Sequence, residues 1–367
     1  MVEGTPAPGD TVGLYAPDGA FLASAAWSPA SNIRARVWSF DSRATVNAAF
    51  LRARIDAAVR ARDGLRDAKN TGCRLVNAES DGLPGFIADR YDQVLVVQVL
   101  AAGAEKWREI LVDALCDATG CTTVYERSDA DTRSLEGLEP RAGPLRGAPL
   151  PQVSLLEDGL SYGVDVVRGQ KTGFFLDQRD NRARIRALAM ECEVLDGFCY
   201  SGGFTCAALA GGARSVLAID SSAAALELAR GNVAANGFDA SRVEWRDADV
   251  FAELRRLRDA AASFDLIVLD PPKLAPTAQH AAKAARAYKD VNLLALKLLR
   301  PGGRLATFSC SGGVSAELFQ KIVAGAALDA GVDAAIVARF GPSADHPVAL
   351  NFPEGDYLKG LLVRCHA

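Results

Sequence analysis

Val194-Leu195-Asp196-Gly197-Phe198-Cys199-Tyr200-Ser201-Gly202-Gly203-Phe204 reads as a strand ending on an acid, a glycine-studded loop and the start of a helix. Outward from it the pattern alternates. Helices are expected at 178–190, 203–210, 222–236, 249–258, 280–299 and 314–329. Strands are expected between them at 193–196, 215–219, 242–246, 264–269 and 303–308, then near 334–340 and 358–364. Strands separated by helices of this length form a doubly wound, mostly parallel α/β sheet. The last two strands can pair as an antiparallel edge hairpin.

Upstream the pattern differs. Thr11-Val12-Gly13-Leu14-Tyr15 and Ala20-Phe21-Leu22-Ala23 flank a Pro17-Asp18-Gly19 turn, and Ile33-Arg34-Ala35-Arg36-Val37-Trp38 adds a strand with both arginines on one face. Residues 46–68 carry apolar positions at helical spacing and are expected to connect two domains. Residues 73–168 read as a small α+β unit, with strands at 73–78, 85–89, 93–100, 122–127 and 160–167 and a helix at 103–118. The Gly-, Pro- and Arg-rich stretch 128–152 is expected to be an exposed loop.

Composition narrows the classes. A chain of 367 residues is long for one domain. There is no apolar run long enough to span a bilayer and no basic-then-apolar leader at Met1-Val2-Glu3-Gly4, so a cytoplasmic protein is expected. None of the eight cysteines forms a CxxC pair, and the three histidines lie near no cysteine pair; no metal is expected. Seven of the cysteines read as small buried apolar residues. A net charge of −4 argues against a uniformly basic nucleic-acid binder, but residues 31–70 carry nine Arg/Lys against four Asp, and 168–186 six against two. Arg34 and Arg36 are candidate phosphate contacts.

In sheets of this kind ligands bind beyond the carboxyl ends of the strands, where strand order reverses. Asp196, Asp220 and Asp249 stand in order at successive strand ends. Asp220, followed by Ser221, can accept both hydroxyls of a ribose; Asp249 can accept from an adenine amino group. Either acid alone could instead be a helix N-cap. The loop lacks GxGxxG and the Walker lysine pattern, which disfavours a nicotinamide dinucleotide or a nucleoside triphosphate. Phe198, Ser201 and Gly202 complete the crevice. Further on, Asp270-Pro271-Pro272-Lys273 ends the fourth strand, and Cys310 follows the apolar run Leu305-Ala306-Thr307-Phe308, in a loop-like Ser309-Cys310-Ser311-Gly312-Gly313.

With Gln170-Lys171-Thr172-Gly173-Phe174-Phe175-Leu176-Asp177-Gln178-Arg179, these segments resemble the RlmI family of S-adenosylmethionine-dependent 23S rRNA (cytosine-C5)-methyltransferases. Ser28-Pro29-Ala30-Ser31-Asn32-Ile33-Arg34-Ala35-Arg36-Val37-Trp38, Glu79-Ser80-Asp81-Gly82-Leu83-Pro84-Gly85, Asp345-His346-Pro347 and Pro353-Glu354-Gly355-Asp356-Tyr357-Leu358-Lys359-Gly360 carry the likeness across nearly the whole chain. It implies a small β-rich PUA-like domain over 1–45, a helical connector over 46–70, a middle EEHEE α+β domain over 71–168 and a Rossmann-like class I methyltransferase domain over 169–367. The family usually has a further segment before Gly9-Asp10-Thr11, so either the PUA-like domain is expected to lack its first strand or the start codon is misassigned.

The resemblance also implies that Lys171, Thr172, Gly173, Phe175 and Gln178 cover the methionine end of S-adenosylmethionine, and that the partner is 23S rRNA or its large-subunit precursor. A homodimer stays open. Cys310 is expected to be the nucleophile and Asp270 to hold the cytosine edge while also bordering the cofactor. Other RNA cytosine-C5 methyltransferases place a second cysteine after such a proline; in this chain that place is Lys273. His346 reads as structural. Two rivals remain: a guanine N2 or N7 methyltransferase needing no thiol, and a non-catalytic RNA-binding assembly factor.

Overall fold

A computed structural model describes residues 4–148, 153–275 and 281–366; Met1-Val2-Glu3 and the last residues of the expected 128–152 loop, 149–152, lie outside them. The chain divides into two compact units, neither continuous in sequence. One comprises Met1–Gly159, Val164–Leu176 and Ala344–Gly355; the other comprises Leu160–Gly163, Asp177–Ser343 and Asp356–Ala367. Among the described residues no helix is long and apolar enough to cross a membrane.

The first unit opens with β1 (Thr11–Tyr15), β2 (Phe21–Trp27) and β3 (Ala35–Ser39), an antiparallel sheet in that order. Arg34 therefore sits just before β3 rather than inside it. Next comes α1 (Ala48–Arg60). It starts where the Asn47 side chain accepts the Phe50 N–H at 3.0 Å. Leu51, Ile55, Ala58 and Val59 recur on one face and are buried. The helix stops at Arg60, short of the expected 68, and its apolar face joins the core of Leu75, Phe86, Leu95 and Leu111. It is thus a core helix of this unit.

A second sheet follows: β4 (Gly72–Asn77), β5 (Phe86–Tyr91), β6 (Val94–Val99), α2 (Ala102–Lys106), α3 (Arg108–Thr119), β7 (Thr123–Ser128) and β8 (Arg141–Arg146), with the five strands in sequence order. Only β6 and β7 are parallel, and a parallel pair needs a crossover, which α2 and α3 supply. β8 corrects the expectation of an exposed loop over 128–152. Its Gly143 and Pro144 argue against a strand, yet it lies at the sheet edge, where Pro144 opposes Tyr125 beside a register shift. An edge strand tolerates a residue that cannot donate to the ladder. β9 (Val153–Glu157) and β10 (Leu160–Val164) complete this stretch.

The second unit is the doubly wound α/β sheet. Its elements are α4 (Arg179–Leu188), β11 (Glu193–Gly197), α5 (Gly203–Ala210), β12 (Ser215–Asp220), α6 (Ala223–Ala235), β13 (Val243–Asp247), α7 (Val250–Asp259), β14 (Phe264–Leu269), α8 (Ala281–Lys297), β15 (Leu299–Ser309), α9 (Ala316–Ala330), β16 (Ala334–Phe340) and β17 (Lys359–Cys365). Strand order is β13-β12-β11-β14-β15-β17-β16. The first five are mutually parallel; β17 runs antiparallel to both neighbours and holds β16 at the edge. β11 and β14 are buried almost throughout, which is why they read as apolar runs rather than alternating ones. From β11 the chain winds out to β13, then returns to β14 on β11's other side. The crevice where strand order reverses is therefore at the carboxyl ends of β11 and β14.

Candidate active site

The loop after β11 is bent by its backbone. Phe198 and Tyr200 take left-handed φ values of 63° and 47°, and Gly202 takes 76°. Left-handed backbone costs a non-glycine residue about 1–2 kcal/mol and persists where the surroundings impose it, often at ligand sites. Here the imposing contacts are visible. Cys199 N donates to Ile219 O at 3.1 Å, Gly202 N to Cys199 O at 2.8 Å, and the buried Asn232 donates to Ser201 O at 2.9 Å. A side chain at Gly202 would come within 3.0 Å of Ala229 Cβ.

The three expected acids differ. Asp220 is half-buried at the end of β12, where Oδ2 accepts the Tyr200 N–H and Oδ1 the Ser222 N–H, both at 2.9 Å. It is not the cap of α6; Ser222 is, accepting from Ala225 N. A carboxylate offers about four acceptor positions, so Asp220 has capacity left for a diol. Ser221 beside it is exposed. Asp249 is exposed and is the N-cap of α7, accepting from Ala252 N at 2.8 Å; it retains its second oxygen. Asp196 is fully buried, with Oδ2 taking the Thr205 hydroxyl at 2.6 Å. Burial is the main reason its carboxyl is pushed up to about 7; Asp270 and Asp220 add to this and Thr205 opposes it.

Asp270 follows β14. Its Oδ2 accepts from Gln178 Nε2 at 2.9 Å. The orientation of the Gln178 amide is fixed in turn, because Asn181 Nδ2 donates to Gln178 Oε1 at 2.6 Å and to Gly341 O at 3.0 Å. Asn181, which the sequence reading did not single out, thus holds the amide that holds Asp270. Only its position three residues after Gln178, one turn along a helix start, hinted at it.

Cys310 follows the last residue of β15 and is half-buried, while Ser309 and Ser311 on either side are fully buried. Ser311 Oγ accepts the N–H groups of Leu274 and Ala275, each at 3.0 Å, and lies 2.9 Å from Tyr288 Oη. Ser309 Oγ donates to the same Tyr288 Oη at 2.9 Å. Ser311 thus ties the loop bearing Cys310 to the loop beginning Asp270-Pro271-Pro272-Lys273, and both serines tie it to Tyr288 of α8. Burial pushes the Tyr288 phenol up. Lys359, at the start of β17, donates from Nζ to Ser311 O at 2.8 Å and Val314 O at 2.7 Å. Neither Tyr288 nor Lys359 carried a sequence signal beyond an apolar helix position and a family motif.

The other cysteines near the crevice are of a different kind. Cys199 and Cys206 are buried; burial pushes both thiols up, that of Cys206 to about 12. Such sulfurs are inert. Of the remaining cysteines, Cys116 is half-buried, against the expectation that all but Cys310 are buried.

Four expected cofactor residues lie in the first unit. Lys171 is exposed, with left-handed φ 52° and Nζ 4.6 Å from the centre of the Phe175 ring. Thr172 is fully buried, and its hydroxyl donates to Asp89 Oδ2 at 2.6 Å within a cluster where Arg74 grips the same carboxylate at 2.7 and 2.9 Å. Gly173, at φ 121°, has Val164 Cγ1 2.5 Å from where a Cβ would stand. Arg34 is exposed and bonds to Pro29 O. Arg36 is paired with Glu79 and Glu136, each at 3.0 Å. The two arginines thus have different surroundings. His346 is buried, its Nδ1 2.9 Å from Asp345 Oδ1.

The second-unit crevice suits S-adenosylmethionine. The loop is stripped of side chains at Gly197, Gly202 and Gly203, and an acid with spare acceptor positions stands at the end of β12. Comparisons agree. Residues 137–329 match the model of an S-adenosylmethionine-dependent methyltransferase family, and 1–40 match a PUA-like domain. Ribosomal RNA large subunit methyltransferase I of Shewanella denitrificans is 50% identical over 364 residues, covering 98% of this chain and 91% of that protein. The protein of that name from Aeromonas salmonicida is 49% identical over 365 residues, covering 99% and 92%. A SAM-dependent methyltransferase structure from Streptococcus mutans has a TM-score of 0.85 at 22% identity, covering 98% of this chain and 93% of that one. A methyltransferase crystallised with SAH gives 0.86, also at 22%, with 98% and 92% covered; at such identity these two show the fold. Conserved fold, full-length relatives at half identity and a matching family model together place the chain in the ribosomal RNA large subunit methyltransferase I family of S-adenosylmethionine-dependent enzymes.

Proposed function

We propose that the protein methylates C5 of a cytosine in 23S rRNA or its large-subunit precursor, through a covalent bond between Cys310 Sγ and C6. The substrate class follows the names of the full-length relatives. The observation that carries the chemistry is the Ser311 hydroxyl joining the Cys310 loop to the loop headed by Asp270. A half-buried thiol and a held carboxylate thereby share one edge of the crevice, while the other thiols near it are inert.

C5 of cytosine is a poor nucleophile. When Cys310 Sγ bonds to C6, the C5–C6 π electrons become available at C5, which then takes the methyl. Loss of the C5 proton to a base, and departure of the sulfur with its electron pair, restore the aromatic ring. This splits one hard step into easier ones. S-adenosylmethionine supplies the electrophilic methyl when bound; Asp220, Ser221, Asp249, Asp196, Phe198, Ser201, Gly202 and Gln178 are the residues of the second unit that would hold it. Asp270, held by Gln178, accepts from the N3/N4 edge of the base and stabilises the adduct. The cytosine reaches the site single-stranded or flipped from its stack. Arg34, exposed, is the better phosphate contact; Arg36 is paired with two glutamates. The PUA-like domain over 1–45, the middle domain over 71–168 and the methyltransferase domain over 169–367 are the division of labour we assign.

Incubation with tritiated S-adenosylmethionine and unmodified large-subunit rRNA, followed by mass mapping of the product, tests this: the mark should lie on a cytosine carbon. Cys310→Ala should abolish turnover and keep cofactor binding. A mark on nitrogen, or normal turnover by Cys310→Ala, overturns the covalent scheme.

A further inference from the structure

Lys359 is buried, yet a lysine is rarely buried without cause. Its Nζ spends two of three N–H groups on Ser311 O and Val314 O, both in the turn that carries Cys310. A neutral amide could tie carbonyls. A buried cation costs more than that, and the cost is sensible where a negative charge forms beside it. Burial lowers the Lys359 pKa and Lys273 adds to this, while Asp356 and Cys310 favour the cation. Lys359 on β17 and Tyr288 on α8 both interact with the thiol; Asp356, just before β17, and Lys273, in the loop after β14, act on Lys359, and Asp270 acts on Tyr288.

We propose that Lys359 is a positioning residue: it clamps the Cys310 turn through two carbonyls and supplies the positive charge that keeps Cys310 Sγ as a thiolate. The thiol proton leaves to water and the sulfur retains its electron pair, so no other reactant is needed. This deepens, and rests on, the reading of Cys310 as nucleophile. A free thiol, with a pKa of about 8.5, is mostly protonated at neutral pH, and a neighbouring cation is one of the standard ways to lower it.

The test is alkylation of the full-length protein with iodoacetamide across pH, read by mass spectrometry on the Cys310 peptide, with neither RNA nor cofactor present. The wild-type midpoint should fall below about 8.5. Lys359→Met should raise it by about one pH unit or more, slowing alkylation at pH 7 about tenfold. Turnover at pH 7 should fall by a similar factor while the KM for RNA and the affinity for S-adenosylmethionine hold. Lys359→Arg should keep the midpoint low. A wild-type midpoint at or above the ordinary value, or an unchanged midpoint in a folded Lys359→Met, overturns the proposal; if Lys359→Met does not fold, the wild-type and Lys359→Arg profiles decide it. Failure here leaves the covalent scheme intact, whereas turnover by Cys310→Ala would sink that scheme whatever the alkylation profile.

Discussion

Asp196 and Asp220 end neighbouring strands, but their chemistry is not the same. Asp196 has a folded pKa raised from 3.8 to about 7, mainly by burial. The folded state therefore binds its proton more tightly than the unfolded chain does. The cost to stability of ionising it grows as pH rises from about 4 to about 7 and is complete above that, reaching about 4 kcal/mol at most. Asp196→Asn should therefore gain more stability over wild type at pH 8 than at pH 5, and paired thermal melts at the two pH values check it; equal gains would show that the carboxyl is not buried in solution. Asn181→Leu removes the bond that orients Gln178 and so loosens the Gln178 hold on Asp270. Turnover should drop roughly 5- to 100-fold, the equivalent of about 1–3 kcal/mol for a bond within a charged network, measured as kcat with cofactor affinity as the control. Asp196 and Asp220 were legible in the sequence because each follows an apolar run. The Gln178–Asp270 bond was not, since it joins residues 92 apart in the chain.

At the level of elements, β15 and the turn after it concentrate the chemistry. One buried serine hydroxyl satisfies two main-chain N–H groups of the neighbouring loop. Ser311→Ala leaves both without that acceptor, at a cost of about 2–4 kcal/mol. The denaturation midpoint should fall and turnover should fall with it; an unchanged midpoint would mean that other groups hold the two loops. The alternation of helix and strand was readable across the second unit because its central strands are apolar runs and most of its helices are amphipathic, and most boundaries came within a residue or two. β8 was hidden, since Gly143 and Pro144 signal a turn and only pairing with β7 makes them a strand. The break between α2 and α3 at Trp107 was hidden too, because the apolar periodicity runs through it.

Taken whole, the chain passes between its two units more than once. The 344–355 segment, between β16 and β17, belongs to the first unit. Its Asp345 is fully buried, and its carboxylate accepts Arg74 N at 2.9 Å while its carbonyl accepts Arg62 Nη2 at 3.2 Å. Asp345→Ala strips a buried main-chain N–H of its acceptor and should destabilise the protein by about 1–3 kcal/mol, read as a lower Tm; an unaltered Tm would show the segment to be dispensable. Arg62, held at the same time by Asp81 at 2.7 and 2.8 Å, loses nothing by that change, because it contacts the backbone of Asp345. The arrangement bears on how the polypeptide is made. Synthesis runs from the amino end at roughly 5–20 residues per second, and domains commonly form as they emerge. Here the first unit cannot close when residues 1–176 have left the ribosome, because its 344–355 segment is still to come. Arg74 must wait for an aspartate translated 271 positions later, so the nascent amino-terminal half stays unfinished until nearly the entire message has been read.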